Sequence, residues 1–147
     1  MLRAQGDLAA ALGSFRAGLA IAETLARADP DNAEWQRDLS VSHDRIGDVL
    51  SAQGDRAAAL GSFRASLAIA ETLARADPGN AGWQRDLAMS FGKIAMFEAQ
   101  QGATARALNG FRRGRDIIAG LARQSPDNAR LPKDLAQFDA AIKRLTP

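Results

Sequence analysis

The strongest constraint on the fold of this chain is that it repeats itself. Residues 22–39 read AETLARADPDNAEWQRDL, and residues 70–87 read AETLARADPGNAGWQRDL. When residues 1–40 are placed over residues 49–88, 33 of the 40 pairs are identical and the offset is 48 residues. A fixed period of this size is typical of a solenoid, in which each unit buries its apolar face only by stacking on its neighbours.

A third, more diverged copy follows at the same offset. It keeps the residues that mark each unit: Gly6, Gly54 and Gly102; Phe15, Phe63 and Phe111; Pro30, Pro78 and Pro126; Asn32, Asn80 and Asn128. A chain of 147 residues suits one domain with a real core. We therefore predict a single helical-repeat domain over 1–147, with a partial unit at about 1–30, full units at 31–78 and 79–126, and a capping helix over 127–147.

Each unit reads as two helices. After Gly54, apolar residues recur at helical spacing on one face: Leu60, Phe63, Leu67, Ala70 and Ala74. Gly54 is suited to end the preceding helix, Asp55 and Asn80 to cap helices, and Pro78 to follow a helix end. The apolar residues are mainly Ala and Leu, and Tyr is absent, which favours helices over sheets. The pattern predicts an all-α chain of six helices near 7–29, 33–53, 55–77, 81–101, 103–124 and 129–145, with short connections that favour antiparallel neighbours.

Two sets of residues recur at matching places: His43, Ile46, Gly47, Leu50, Ala59, Phe63 and Pro78, then Phe91, Ile94, Ala95, Glu98, Ala107, Phe111 and Pro126. They resemble the tetratricopeptide repeat, whose pattern is W-x2-L-G-x2-Y, A-x3-F and P. The period of 48 exceeds the usual ~34, which makes this a long-helix variant with about two more turns per helix. The resemblance implies a right-handed α-solenoid of antiparallel helix pairs, whose first helices line a concave groove for a peptide or protein partner.

The resemblance also implies which residues line that groove. One unit would supply Val41, Asp44, Arg45, Asp48 and Ser51, and the next Met89, Gly92, Lys93, Met96 and Gln100. Segments 41–50 and 89–98 share only 2 of 10 residues although their flanks are near copies. Methionine is adaptable and common on peptide-binding surfaces. The alternative is that Met89, Phe91, Met96 and Phe97 repack against the diverged third unit.

The repeat makes the two ends of the chain unequal. The first unit lacks nearly all of its first helix, so helix 7–29 should expose part of an apolar stripe that includes Ala11, Phe15, Leu19 and Leu25. Such a stripe favours self-association as an alternative function. A head-to-tail assembly is opposed by Lys143, which takes the close-approach place of Gly47. A symmetric dimer through two first helices is the preferred version.

The chemistry-bearing residues are few. His43 is the only histidine and takes a packing position of the repeat, and cysteine is absent. No phosphate loop, nucleophile elbow or acidic metal cluster is present. We therefore expect no enzyme activity, no catalytic, cofactor-binding or metal-binding residues, and no small-molecule substrate.

Charge and recurring polar residues suggest structure rather than nucleic-acid binding. The net charge is +2, and the arginines of the third unit (Arg106, Arg112, Arg113 and Arg115) fit a solvated face better than a phosphate site. The Gln-Arg-Asp-Leu runs at 36–39 and 84–87, with Lys133-Asp134-Leu135 as third form, predict an ion pair between repeats. The recurring Trp35 and Trp83 are interpreted as stacking core.

These observations favour a protein–protein interaction scaffold. The Arg-rich, Lys-poor composition is typical of a bacterial protein from a GC-rich genome. No stretch was expected to match the ~18 apolar residues of a membrane helix, and the N-terminus lacks a signal-peptide core. We thus expect a cytoplasmic location and no membrane partner.

Overall fold

A computed structural model describes the backbone from Leu2 to Pro147 and the side chains from Ala4 onward. Over that part of the chain there are six helices and no strand. The helices are α1 (Leu2–Ala28), α2 (Ala33–Ala52), α3 (Arg56–Ala76), α4 (Ala81–Gln100), α5 (Thr104–Gln124) and α6 (Arg130–Leu145). The predicted all-α class with six helices is confirmed, and five of the helices begin and end within two residues of the predicted bounds.

Local capping explains why these bounds follow from the sequence. The side chains of Asn32 and Asn80 accept hydrogen bonds from backbone N–H groups three residues later, at 3.1 Å each, and so begin α2 and α4. Asp55 does the same for the N–H of Ala58 at 3.3 Å. Gly54 and Gly102 follow α2 and α4 with φ of 86° and 80°, a conformation that glycine adopts without steric strain. Each cap or turn sits where the repeat places it.

The start of α1 differs from the prediction. Gly6 is the copy of Gly54 and Gly102, and a helix was expected to begin just after it. Instead α1 runs from Leu2 through Gly6 without a break. Glycine fits a left-handed turn and a helix alike, so its identity does not decide between them. At Gly54 a completed preceding helix imposes the turn, because the N–H of Asp55 bonds back to the carbonyl of Leu50.

The chain forms two compact units, Met1–Leu73 and Ala74–Pro147. In the first unit α1 packs on α2. Helix α1 buries Leu12, Ala22 and Ala26, and α2 buries Ile46, Val49 and Leu50. Alanines dominate the α1 side of this contact, so the two backbones approach closely and little apolar side-chain area of α1 is covered.

Helix α2 also packs on α3 within the first unit. A Cβ atom added to Gly47 would lie 2.5 Å from the ring of Phe63, so only glycine fits there. The hydroxyls of Ser40 and Ser66 lie 2.8 Å apart, and both residues are buried. This confirms that Gly47 is a close-approach position filled from the other side by Phe63.

In the second unit α5 packs against both α4 and α6. Its core is a cluster of buried residues from all three helices: Ala88, Ala95, Ala107, Phe111, Ile118, Leu121, Leu131, Phe138 and Ala141. A Cβ atom on Gly110 would lie 3.0 Å from the Cβ of Ala95, and one on Gly114 only 2.5 Å from the ring of Phe138. Small residues on α5 therefore let its two neighbours approach closely.

Candidate functional site

The first unit has an open groove between α1 and α2. This α1/α2 groove has a volume of about 380 Å³ and is lined by Gly18, Ile21, Ala22 and Leu25 of α1 and by Trp35, Arg37, Asp38, Val41, Ser42 and Arg45 of α2. Ile21 is 64% exposed and Leu25 is 38% exposed, which is unusual for large aliphatic side chains. An apolar floor with charged residues at its rim is the usual composition of a protein-binding patch.

The four predicted self-association residues lie in α1. Leu25 is exposed, while Ala11, Phe15 and Leu19 are half-buried. Ile21 is the most exposed large aliphatic residue of α1, and the stripe proposed from the sequence omits it. The signal was present, because Gly18, Ile21 and Leu25 are spaced three and four apart and so form a second row on the same side of the helix.

One aromatic side chain, Trp35, lines this surface. Trp35 is half-buried and lines the α1/α2 groove, and Trp83 is also half-buried, so neither is the fully buried core residue that was expected. The guanidinium carbon of Arg45 lies 6.0 Å from the centre of the Phe15 ring, within cation–π range. Trp35 therefore contributes apolar surface to the α1/α2 groove.

The predicted groove residues of α2 are mostly polar and lie near the surface. Arg45 and Asp48 are exposed, and Val41, Asp44 and Ser51 are half-buried. Val41 and Arg45 also line the α1/α2 groove.

The predicted groove residues of α4 divide into two groups. Met96 is 57% exposed and Gln100 is exposed. Met89 packs against the core of the second unit, and a Cβ on Gly92 would lie 3.1 Å from the ring of Phe138. Lys93 is half-buried.

Met89 thus packs against the core of the second unit, as the alternative expects, and Phe91 and Phe97 are buried. The alternative of core repacking does not hold for Met96, which keeps a large apolar side chain in solvent.

His43 lies at a packing position, as the repeat predicts. Burial lowers the pKa of His43 below its ordinary value, against the opposing effect of the nearby carboxylates of Glu23 and Asp44. Because Glu23 belongs to α1, the protonation of His43 reports on the α1–α2 contact.

Two of the four clustered arginines of α5 are engaged within the molecule. The guanidinium carbon of Arg113 lies 4.5 Å from the centre of the Phe91 ring. Arg115 donates a hydrogen bond to Asp139, which raises the pKa of Arg115 further above its ordinary value. Arg106 and Arg112 are exposed. The cluster is therefore divided between intramolecular contacts and solvent, and it does not form a single basic patch.

The predicted ion pair between repeats is present in the second unit. Arg85 donates two hydrogen bonds to Asp134, at 2.8 and 3.1 Å. The Asp134 side chain is only 8% exposed, so this is a largely buried bidentate pair rather than a weak surface contact. These hydrogen bonds raise the pKa of Arg85 above its ordinary value. Asp134 is the copy of Asp38, which lines the α1/α2 groove.

Helix α1 is more apolar than the sequence analysis allowed. Residues 4–28 are long and apolar enough to cross a membrane by length and composition, with a mean hydropathy of 1.3 over an 18-residue window. The expectation that no stretch reaches this level is therefore wrong. The same test is passed by signal sequences and by core helices of soluble proteins, and α1 carries Asp7, Arg16, Glu23 and Arg27. The finding shows how much apolar surface α1 presents.

Among the residues that the structure describes, no group of three or more His, Cys, Asp or Glu side chains could hold a metal ion. The features that stand out are thus surfaces rather than reactive groups. Neither a comparison with protein-family models nor a search of curated proteins gives a match.

Proposed function

We propose that this chain is a protein–protein interaction module that binds a protein or peptide partner. The observation that carries the proposal is the α1/α2 groove, where Ile21 and Leu25 keep large apolar side chains in solvent. Exposed aliphatic residues of this size, beside half-buried Trp35 and rimmed by charges, gain free energy when a partner removes them from water.

The proposed architecture is a right-handed solenoid of antiparallel helix pairs that resembles the tetratricopeptide repeat. Contacts within each unit support the antiparallel pairing. Ser40 and Gly47 of α2 meet Ser66 and Phe63 of α3, so later residues of one helix meet earlier residues of the next. The single domain over 1–147 remains part of this proposal.

The resemblance also places a peptide groove on the first helix of each unit. Taken separately, α2 and α4 each present side chains suited to that role. Helix α2 has the exposed, charged Arg45 and Asp48, and α4 has the exposed Met96 and Gln100. We propose these four as the partner-contacting members of the predicted set, with no enzyme activity, cofactor or nucleic acid involved.

Self-association is the second candidate function, and the exposed Ile21 and Leu25 favour it equally. The version that fits is a symmetric contact between two α1 helices. A head-to-tail contact would place α6 of one molecule before α1 of the next. It is opposed by exposed Lys143, the copy of Gly47, where even a Cβ atom would clash with Phe63.

Selection of displayed peptides on the immobilised chain tests the proposed function. We expect peptides to be enriched whose binding is lost in the Ile21→Glu or the Met96→Asp variant, with the circular dichroism spectrum unchanged. Arg112→Glu, at an exposed position of α5, is the matched charge-changing control. A selection without enrichment, or binding that all variants retain, would refute the interaction module.

Light scattering over a concentration series distinguishes self-association, the second candidate, from binding to a different partner. A dimer that dissociates in the Ile21→Glu variant would assign α1 to self-association. A monomer at all concentrations would exclude it.

A further inference from the structure

The second unit contains a filled version of the α1/α2 groove. Helices α5 and α6 are copies of α1 and α2 at twice the repeat offset, that is, 96 residues later. Gly18 corresponds to Gly114, and Asp38 corresponds to Asp134. In the second unit α4 lies at this place, and the structure thereby shows what kind of element completes the surface.

Two contacts define how α4 completes it. Arg85 of α4 pairs with Asp134 through two hydrogen bonds. Ala88, three residues later, has its carbonyl oxygen 3.0 Å from the Cβ position of Gly114. On α4, an arginine therefore pairs with an aspartate of α6, and the small residue three positions later lies against a glycine of α5.

The groove in the first unit has the same two contact positions, Gly18 and Asp38, and both are open to solvent. A Cβ atom on Gly18 would meet nothing within 4 Å, and Asp38 is exposed. Leu121, which corresponds to the exposed Leu25, is buried in the filled version.

The residue type on the covering helix depends on the helix that it packs against. In the α2–α3 contact, Ser40 faces Ser66 through a hydroxyl pair. In the α4–α5 contact the same two places hold Ala88 and Gly114. Because α1 carries Gly18 at this place, the helix that fits α1 is of the α4 type, with a small apolar residue, and not of the α2 type.

We propose that the α1/α2 groove binds an amphipathic α-helix of a partner protein, with an arginine that pairs with Asp38 and a small residue three positions later that packs on Gly18. This inference rests on the proposed function and names the partner's chemistry. The apolar side chains of that helix cover Ile21 and Leu25.

The groove differs from the filled version in its lining. Arg45 and Ser42 line it, whereas the corresponding residues in α6 are Ala141 and Phe138. Contacts of Arg85 with Asp134 and of Gly92 with Phe138 indicate that α4 and α6 run in the same direction. A partner helix in the same orientation presents its residue seven positions after the arginine over Ser42, about one turn before Arg45. An acidic residue there strengthens binding.

The test uses a labelled peptide with the sequence of α4, residues 81–100, and fluorescence anisotropy with the whole chain. We expect saturable 1:1 binding. The Asp38→Arg protein and the Arg85→Asp peptide each weaken it about tenfold, and their combination restores most of it. A peptide with Ala88→Leu binds about tenfold more weakly, and one with Gly92→Glu binds more tightly.

Several outcomes would overturn the inference. Binding that is indifferent to Asp38→Arg would show that the peptide has exchanged with the chain's own α4. The inference also fails if the wild-type chain does not bind the peptide. It fails as well if a dimer of the chain fills the groove, or if α1 carries the chain upward with neutral phosphatidylcholine vesicles in a flotation assay. If displayed peptides are enriched by the chain but lack the arginine and small residue, the interaction module stands and this inference fails.

Discussion

Helices α1 and α3 carry nearly the same side chains in different surroundings. Over 7–29 and 55–77 the sequences differ at only two places, where Leu8 and Gly18 stand for Arg56 and Ser66. Yet Leu25 is 38% exposed and its copy Leu73 is 8% exposed. Helix α3 has α2 packed on the face that carries Phe63 and Ser66. On α1, a Cβ atom at Gly18, the copy of Ser66, would meet nothing within 4 Å among the residues that the structure describes.

This difference shows that burial in a repeat protein is decided by neighbours and not by local sequence. The same apolar stripe is buried in α3 and partly exposed in α1. Under the proposed function, this exposed part of the stripe is the surface that a partner covers.

The largest expected effect comes from the two copies of one phenylalanine. Phe63→Ala removes a buried ring that fills the space over Gly47, and we expect a loss of about 3–5 kcal/mol in the free energy of unfolding. Phe15→Ala removes a half-buried ring and costs about 1–2 kcal/mol. Urea denaturation followed by circular dichroism measures both, and equal losses would contradict the contrast between α1 and α3.

The next largest effect on the free energy of unfolding is expected from two copies of one aspartate. Asp134→Asn leaves Arg85 without its buried carboxylate and costs about 2 kcal/mol. Asp38→Asn at the exposed groove position changes stability by less than about 0.5 kcal/mol. The same denaturation assay applies. A large loss for Asp38→Asn would mean that the groove is already filled within the molecule.

Substitution of two copies of one glycine by alanine should change the stability in opposite directions. Gly114→Ala places a methyl group 2.5 Å from the Phe138 ring, and the clash outweighs the better helix propensity by about 1 kcal/mol. Gly18→Ala meets nothing within 4 Å and gains about 0.5–1 kcal/mol from propensity. Thermal unfolding of the two variants decides, and the account fails if both shift the midpoint in the same direction.

The sequence predicted what local chemistry determines. Asn32, Asn80 and Asp55 cap helices because their side chains reach N–H groups three residues away, which needs no tertiary partner. Gly47 and Phe63 were placed correctly because close approach demands the smallest residue opposite the largest ring.

What the sequence could not supply was the identity of neighbours. Trp35 and Trp83 are half-buried, although recurring tryptophans suggested core. The spacing of Gly18, Ile21 and Leu25 placed Ile21 on the apolar side of α1, but its degree of exposure could not be predicted, because its copies Ile69 and Ile117 are half-buried. The continuation of α1 through Gly6 is a further difference, because glycine fits a left-handed turn and a helix alike.

The smallest expected effect is a pH dependence from His43. Burial lowers its pKa in the folded chain, so the unfolded chain takes up the proton first as the pH falls. The free energy of unfolding is therefore not reduced by His43 above its ordinary pKa of 6.5, and it decreases as the pH falls below that value. We expect the His43→Gln variant to show a flatter pH profile of unfolding between pH 7 and 5. An unchanged slope would mean that α1 does not cover His43.

The most direct test of the central claim is the reactivity of single cysteines, since the chain has none of its own. Leu25→Cys and Leu73→Cys occupy the same place in two copies of one helix. At a concentration where the chain is monomeric, the account predicts that a bulky maleimide labels Leu25→Cys rapidly in the native state and Leu73→Cys only on unfolding. Equal labelling rates would contradict it, because α1 and α3 would then be equally covered and the α1/α2 groove would not be open to a partner.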